Sequence, residues 1–252
     1  MRELTIQIIP IRKIPLIKEG DNVADFIVRA SKDEEIQFKT GDVVVIAQKI
    51  VSKAEGRAVK LDTITPSRRA EEIAKTSGKD PRHVEAILRE SAKIVRQKDA
   101  HLIVETRHGF VCANAGVDKS NVDNEDSVTL LPKDSDKSAR EIRKRICELT
   151  NVDVAVIVSD TFGRAWRIGQ VNVAIGLDGL SAIIDYRGQK DMFGYVLNVT
   201  QMAVADELAS AAELVMRKSD GVPAVIIRGF AYVPGAGTSK DLVRPEEEDL
   251  FR

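Results

Sequence analysis

Val152-Asp-Val-Ala-Val-Ile-Val158 runs directly into Ser159-Asp-Thr-Phe-Gly-Arg-Ala-Trp-Arg-Ile-Gly-Gln170. The first seven residues are β-branched or small except Asp153, which predicts a strand buried on both faces. Polar groups begin abruptly at Ser159, so this reading ends the strand at Val158 and puts Asp160, Thr161, Arg164 and Arg167 in the turn beyond it. Gly41-Asp42 introduces a second run of this kind, Val43–Ala47, and Val222–Ile227 is a third. Leu4–Ile9 alternates and is stopped by Pro10. Leu102–Thr106 and Phe110–Ala113 read as a hairpin about His108-Gly109. Val171–Ile175 and Ser181–Tyr186 add further strands.

Helices are expected between these runs. Asp21 caps one reaching about Ala30, and Thr65-Pro-Ser67 opens one that Ser77-Gly78 stops. Asp80-Pro81 opens another through Glu90 or beyond, proline being favourable where a helix N–H has no partner. Ser138–Leu149 is amphipathic, and Val199–Met216 is a long alanine-rich helix suited to close packing. The order has no regular βαβ rhythm. It predicts an α+β fold, mixed sheets with flanking helices, rather than a doubly wound sheet. No repeat or Gly/Ser linker divides the chain, so residues 1–252 are expected to form a single domain, as one large unit or as two intimate lobes. The acidic tail, 235–252, is expected to be its least ordered part.

Charge excludes some classes. Lys and Arg number 38 against 39 Asp and Glu, leaving −1, so no basic footprint points to nucleic acid. No run reaches the ~18 apolar residues of a membrane span, and the N-terminus lacks a signal-type apolar core. A cytoplasmic protein is expected. Cys112 and Cys147 have no CxxC spacing and read as free thiols. Phosphate loops of the GxxxxGK[ST] type, GxGxxG, GxSxG and HExxH are all absent.

What remains is a distributed constellation. Asp160 and Thr161 offer hard oxygens, and Asp118 lies in Asn114-Ala-Gly-Val-Asp-Lys-Ser-Asn121. Carboxylates beside the planar forks of Arg164 and Arg167 suit a divalent cation next to phosphate. Spacing alone equally allows a helix cap or Asx turn for the acids and surface ion pairs for the arginines. Lys49, Ser52 and Lys53, after the Val43 strand, are phosphate-facing candidates, or simply solvated. Lys218-Ser-Asp-Gly221 is a further loop of this kind.

These segments resemble the coenzyme F420-0:γ-glutamyl ligase family, over about residues 4 to 232. The motifs are Pro15-Leu-Ile-Lys18, Ile50-Val-Ser-Lys-Ala-Glu-Gly-Arg57, Arg107 through Asn121, Ser159 through Gln170, Val173-Ala-Ile-Gly176, Ala205-Asp-Glu207 and Val222 to Gly229. The resemblance implies an intertwined homodimer that adds L-glutamate to a deazaflavin coenzyme precursor. GTP would be the phosphoryl donor, with Mg²⁺ or Mn²⁺, and K⁺ as a further cation. Position by position, Asp118, Asp160 and Thr161 match metal ligands. Pro15, Leu16, Ile17, Lys18, Gln48, Lys53 and Asn121 match nucleotide contacts, and Met216, Lys218, Asp220 and Gly221 lie in the loop that borders the nucleotide. Lys53, Arg164 and Arg167 are the expected transition-state cations, the arginines by charge and position. His108 and Glu55 are candidate bases. The 216–222 loop is basic where some relatives carry an acid for a second metal, which leaves that metal open. Two alternatives stand beside the ligase: a same-fold ligase for another carboxylate, and a non-catalytic nucleotide-binding paralogue.

Overall fold

The computed structural model describes residues 5–119 and 126–250. Its strands are β1 (Gln7–Ile11), β2 (Val43–Ala47), β3 (Ala58–Lys60), β4 (Ser91–Lys98), β5 (His101–Thr106), β6 (Val111–Ala113), β7 (Ser127–Thr129), β8 (Ala155–Arg164), β9 (Arg167–Leu180), β10 (Ile184–Asp185), β11 (Gln201–Met202), β12 (Ala224–Arg228) and β13 (Pro234–Gly235). Its helices are α1 (Val23–Asp33), α2 (Gln48–Ala54), α3 (Arg68–Ser77), α4 (Pro81–Glu90), α5 (Ser135–Thr150) and α6 (Val204–Met216). The fold is α+β, as expected.

A six-stranded sheet in the order β1-β12-β2-β8-β9-β13 forms the main body. Only β2 and β8 are parallel. The period of two explains why these strands read as unbroken apolar runs. Val44, Ile46, Val156, Val158, Ala224 and Ile226 turn to one core with α1 and α5. Val43, Val45, Ala155, Ile157, Val225 and Ile227 turn to the other, beneath α6. Ala205, Ala209 and Ala212 are fully buried there and bring α6 close to the sheet.

The second lobe carries the β4-β5-β6 sheet, the β3–β7 pair, α3 and α4. Leu61, Ile87, Leu102, Val104, Ala115, Val117 and Val128 fill its core. Arg57 ties the lobes, donating to Leu131 O at 2.9 Å and to Glu90 Oε2 at 2.7 Å.

Several boundaries differ from expectation. Pro10 lies inside β1, which is tolerable because β1 is an edge strand, paired among the described residues with β12 alone. Asn22, not Asp21, caps α1, its side chain accepting from the Ala24 and Asp25 amides; Asp21 instead accepts from Lys18 N. The chain passes straight from α4 into β4, a bulged partner of β5 that replaces the expected continuation of the helix beyond Glu90. The long helix begins only at Val204, the preceding residues forming β11. The main correction concerns β8. It does not stop at Val158 but runs to Arg164 and returns as β9 through Ala165-Trp166.

The acidic tail is tethered in its described part. Ser239 N and Oγ donate to Asp136 at 2.9 Å, Thr238 and Asp241 form a capping box, and Lys93 holds Glu246 at 2.6 Å. No helix among the described residues is long and apolar enough to cross a membrane.

Candidate active site

The parallel register of β2 and β8 ends at Ala47↔Ser159. There β2 turns into α2, while β8 continues beside β9 alone. Asp160 and Thr161 therefore stand just past the carboxyl end of β2, in the stretch of β8 that extends beyond the parallel pairing. A bulge in β9 lies at the same level: Val158 opposes Gly176, but Ser159 opposes Ala174. The Asp206 carboxylate accepts from Ala174 N at 2.8 Å and braces it. Bulges re-aim the side chains around them, and this one sits immediately before the candidate ligands.

Alternation sends the two residues to opposite faces of β8. Thr161 faces the α6 side. Its hydroxyl donates to Asn172 Oδ1 at 2.7 Å and accepts from Lys218 Nζ at 2.6 Å. Asp160 shares the face of Val156 and Val158.

Asp118 arrives from the second lobe. Asn114, Ala115 and Gly116 take φ of 55, 55 and 68° in succession. Left-handed backbone is free only to glycine, so this turn holds strain of about 1 kcal/mol or more at Ala115. A Cβ at Gly116 would also lie 2.8 Å from buried Leu131. Beyond the turn, Asp118 exchanges backbone hydrogen bonds with Thr129 at 3.0 and 2.8 Å. Lys49 Nζ meets Asp118 Oδ2 at 2.6 Å.

Electrostatics join the acids. Burial pushes the Asp160 carboxyl up to about 6; the negative charge of Asp118 adds to this, while the Thr161 N–H, Lys49 and Lys218 oppose it. Cys112 lies close enough for the Asp160 charge, after burial, to help push its thiol up to about 12. The two carboxylates, Asp118 and Asp160, are hard oxygen donors, and such donors fit Mg²⁺ or Mn²⁺. Among the described residues no group of three or more His, Cys, Asp and Glu side chains is disposed to hold a metal. A cation here would thus have two protein carboxylates and would fill its other positions with water or substrate oxygens, as Mg²⁺ commonly does.

The expected nucleotide contacts gather around α2. Gln48 is buried, accepts from Ser52 Oγ at 2.7 Å, and leaves Nε2 without a partner among the described residues. Gly20 N donates to Ala54 O at 2.9 Å, holding the loop of Pro15, Leu16, Ile17 and Lys18 against the same helix that carries Lys53. Ile17 is core, while Leu16 is exposed. Asn121 lies outside the described residues. In the 216–222 loop Met216 is core, Asp220 turns to Arg217 and Ser219, and Gly221 takes φ of 67°. Lys218 is the loop residue hydrogen-bonded to Thr161.

Arg164 and Arg167 are not brought to the acids. They face each other across the hairpin tip and are exposed, with Arg164 Nη2 donating to Ile168 O at 3.2 Å. Three strand residues put Arg164 roughly 10 Å beyond Thr161. The cations at the cluster are Lys49 and Lys218 instead. His108 serves its turn, with Nε2 2.9 Å from Pro132 O and its ring stacked on Phe110. Glu55 is engaged by Ser138 Oγ. Asn172 escaped the sequence reading; its only signal was a polar residue in the alternating stretch Gln170-Val-Asn172-Val-Ala174.

Comparison with known proteins bears on this geometry. The profile of the F420-0:gamma-glutamyl ligase family matches residues 11–229. The chain belongs to that family. It is 49% identical over 250 residues to the coenzyme F420:L-glutamate ligase of Methanothermobacter thermautotrophicus, covering 98% of this chain and 99% of that one. It is 47% identical to the enzyme of that name from Methanocaldococcus jannaschii, covering 95% and 94%. The protein so named from Archaeoglobus fulgidus is 44% identical, covering 99% and 97%. Both walls of the cluster, 107–119 and 159–170, fall inside the family match.

Proposed function

We propose that the chain is a coenzyme F420:L-glutamate ligase that uses GTP. The observation that supports this reading is that Asp160, just past the carboxyl end of β2, feels the charges of Asp118, Lys49 and Lys218, with Lys49 paired to Asp118 and Lys218 to Thr161, in a chain of this family. Such a mixture of hard oxygens and ammonium groups suits the polyanionic transition state of phosphoryl transfer.

Asp118 and Asp160 would hold Mg²⁺ or Mn²⁺, with Thr161 keeping Lys218 on the other face of β8. The metal would neutralise charge on the phosphates. Lys218 and Lys49 add positive charge on either side of β8. The loop at Pro15–Lys18, Gln48 and Lys53 would receive the nucleotide. In the first step a carboxylate oxygen of the coenzyme's acidic tail attacks the γ-phosphorus of GTP, and GDP leaves. The L-glutamate amine then attacks the acyl carbon, forming the amide as phosphate leaves and the nitrogen gives up its proton. These steps need positioning and charge neutralisation rather than a protein nucleophile.

The reading includes a homodimer. Trp166 and Ile168 on the β8–β9 tip are exposed, as are Met192, Phe193 and Tyr195 on the arm between β10 and β11. Large apolar side chains on projecting arms suit burial against a second copy.

The test is direct. The protein is incubated with GTP, Mn²⁺ or Mg²⁺, L-glutamate and the unglutamylated coenzyme, and the products are weighed by mass spectrometry. A gain of one or more glutamyl residues per coenzyme, with one GDP released for each, is expected. Absence of any glutamylated product under every metal and nucleotide tried would overturn the reading. Light scattering coupled to size exclusion reads the dimer.

A further inference from the structure

The described C-terminal segment spans both lobes. It leaves β9 at Pro234 and Gly235, paired to Leu180 and Gly179, and Gly237 N donates to Leu180 O at 3.2 Å. Asp136, in the first turn of α5, then gathers three donors: Leu177 N at 2.9 Å, Ser239 N at 2.9 Å and Ser239 Oγ at 2.9 Å. Leu242 packs on the core beneath α6, whereas Val243 packs on the opposite core. A Cβ at Gly109, in the β5–β6 turn, would sit 3.7 Å from Val243 Cγ1. Farther on, Glu246 reaches Lys93 on β4.

Beneath Val243 lies the joint between the lobes. Phe110 belongs to the same core as Val243 and meets Phe162 edge-on, with ring centroids 6.2 Å apart. Phe162 follows Asp160 and Thr161 on β8, and Phe110 leads into β6 and the strained turn before Asp118. One aromatic contact thus separates the strand bearing one carboxylate from the strand leading to the other. Packed interiors transmit displacement because they have little free volume.

We propose that residues 234–249 are a positioning strap that fixes the separation of Asp118 and Asp160. It acts by holding the β5–β6 hairpin against β8 through Val243, Phe110 and Phe162. The claim rests on the metal-site reading above.

Two variants test it, Val243→Ala and Ser239→Ala, with Val243→Ile as the conservative control. The first measurement is hydrogen exchange. Amides of 111–117 and 160–164 are expected to exchange faster in both alanine variants, while those of β2 and β12 are unchanged. The second is Mn²⁺ binding by loss of the free-ion resonance signal, where half-saturation should rise about tenfold, the usual effect of loosening groups that hold metal ligands. Val243→Ile should leave both as in the parent protein. Unchanged exchange at 111–117, or a rise matched in β2, would overturn the strap. If the unmodified protein bound no Mn²⁺ while the exchange pattern still shifted as described, the metal reading would fail and the strap would stand.

Discussion

Lys218 places its Nζ 2.6 Å from the hydroxyl of Thr161 and 3.2 Å from Oδ1 of Asn172. The hydrogen-bonded triangle joins the loop after α6 to both strands of the β8–β9 hairpin. It puts an ammonium group in the loop where some relatives carry an acid for a second metal.

Replacing Lys218 by Ala should therefore lower kcat about 10²-fold with little change in Tm, since the side chain is largely exposed and contributes chiefly charge. Lys218→Arg should retain part of the activity. Steady-state kinetics with a thermal melt check this, and equal loss in Tm and kcat would reassign the residue to structure.

A packing prediction concerns Gly176. A Cβ there would lie 2.3 Å from the backbone C and O of Ser135, where α5 starts on β9. Backbone cannot swing aside as a side chain can. Gly176→Ala should destabilise by roughly 3 kcal/mol or prevent folding, read as a fall in the urea midpoint.

Acid stability is expected to carry a signature of Asp80. This residue caps α4, and its hydrogen bonds with Arg82 hold its carboxyl down at about 2. A depressed native value stabilises the fold above the unfolded value near 4, and that contribution is lost as pH falls through about 2. Asp80→Asn keeps a capping oxygen but removes the charge. Its Tm should trail the parent by roughly 1–3 °C at pH 7, and the gap should close toward pH 2.

The two thiols should separate chemically. Cys112 is buried and its thiol is pushed up to about 12, whereas Cys147 is only half-buried. Because the thiolate is the reactive form, iodoacetamide at pH 8 should label Cys147 and spare Cys112 in the native protein. Peptide mass spectrometry resolves the two, and both should react in denaturant.

Much of the fold was legible because its signals are local. Val43–Ala47 needs no context to read as a buried strand. Ser67, Asp80 and Gly78 punctuate α3 and α4 by capping chemistry that acts within four residues. Misreadings fell where local chemistry was outvoted. Asp160 and Thr161 looked like a strand end because polar residues usually mark one, yet β9 supplies a partner that carries β8 six residues further. Pro10 looked like a stop because a proline cannot donate, yet at a sheet edge it need not.

By itself the sequence determined the apolar periodicity, and with it the α+β class and most element positions. It also determined which acids were worth watching, Asp118 and Asp160, whose motifs, with Thr161, carry the family resemblance. The tertiary structure alone decided the company those acids keep. Asp118 and Asp160 lie forty-two positions apart, and no short-range rule brings them together. Their coupling comes from the parallel register of β2 with β8 and from the left-handed turn at Asn114–Gly116. That same geometry carried Arg164 and Arg167 away, because strand extension is fixed at about 3.3 Å per residue, and put Lys49 and Lys218 in their place.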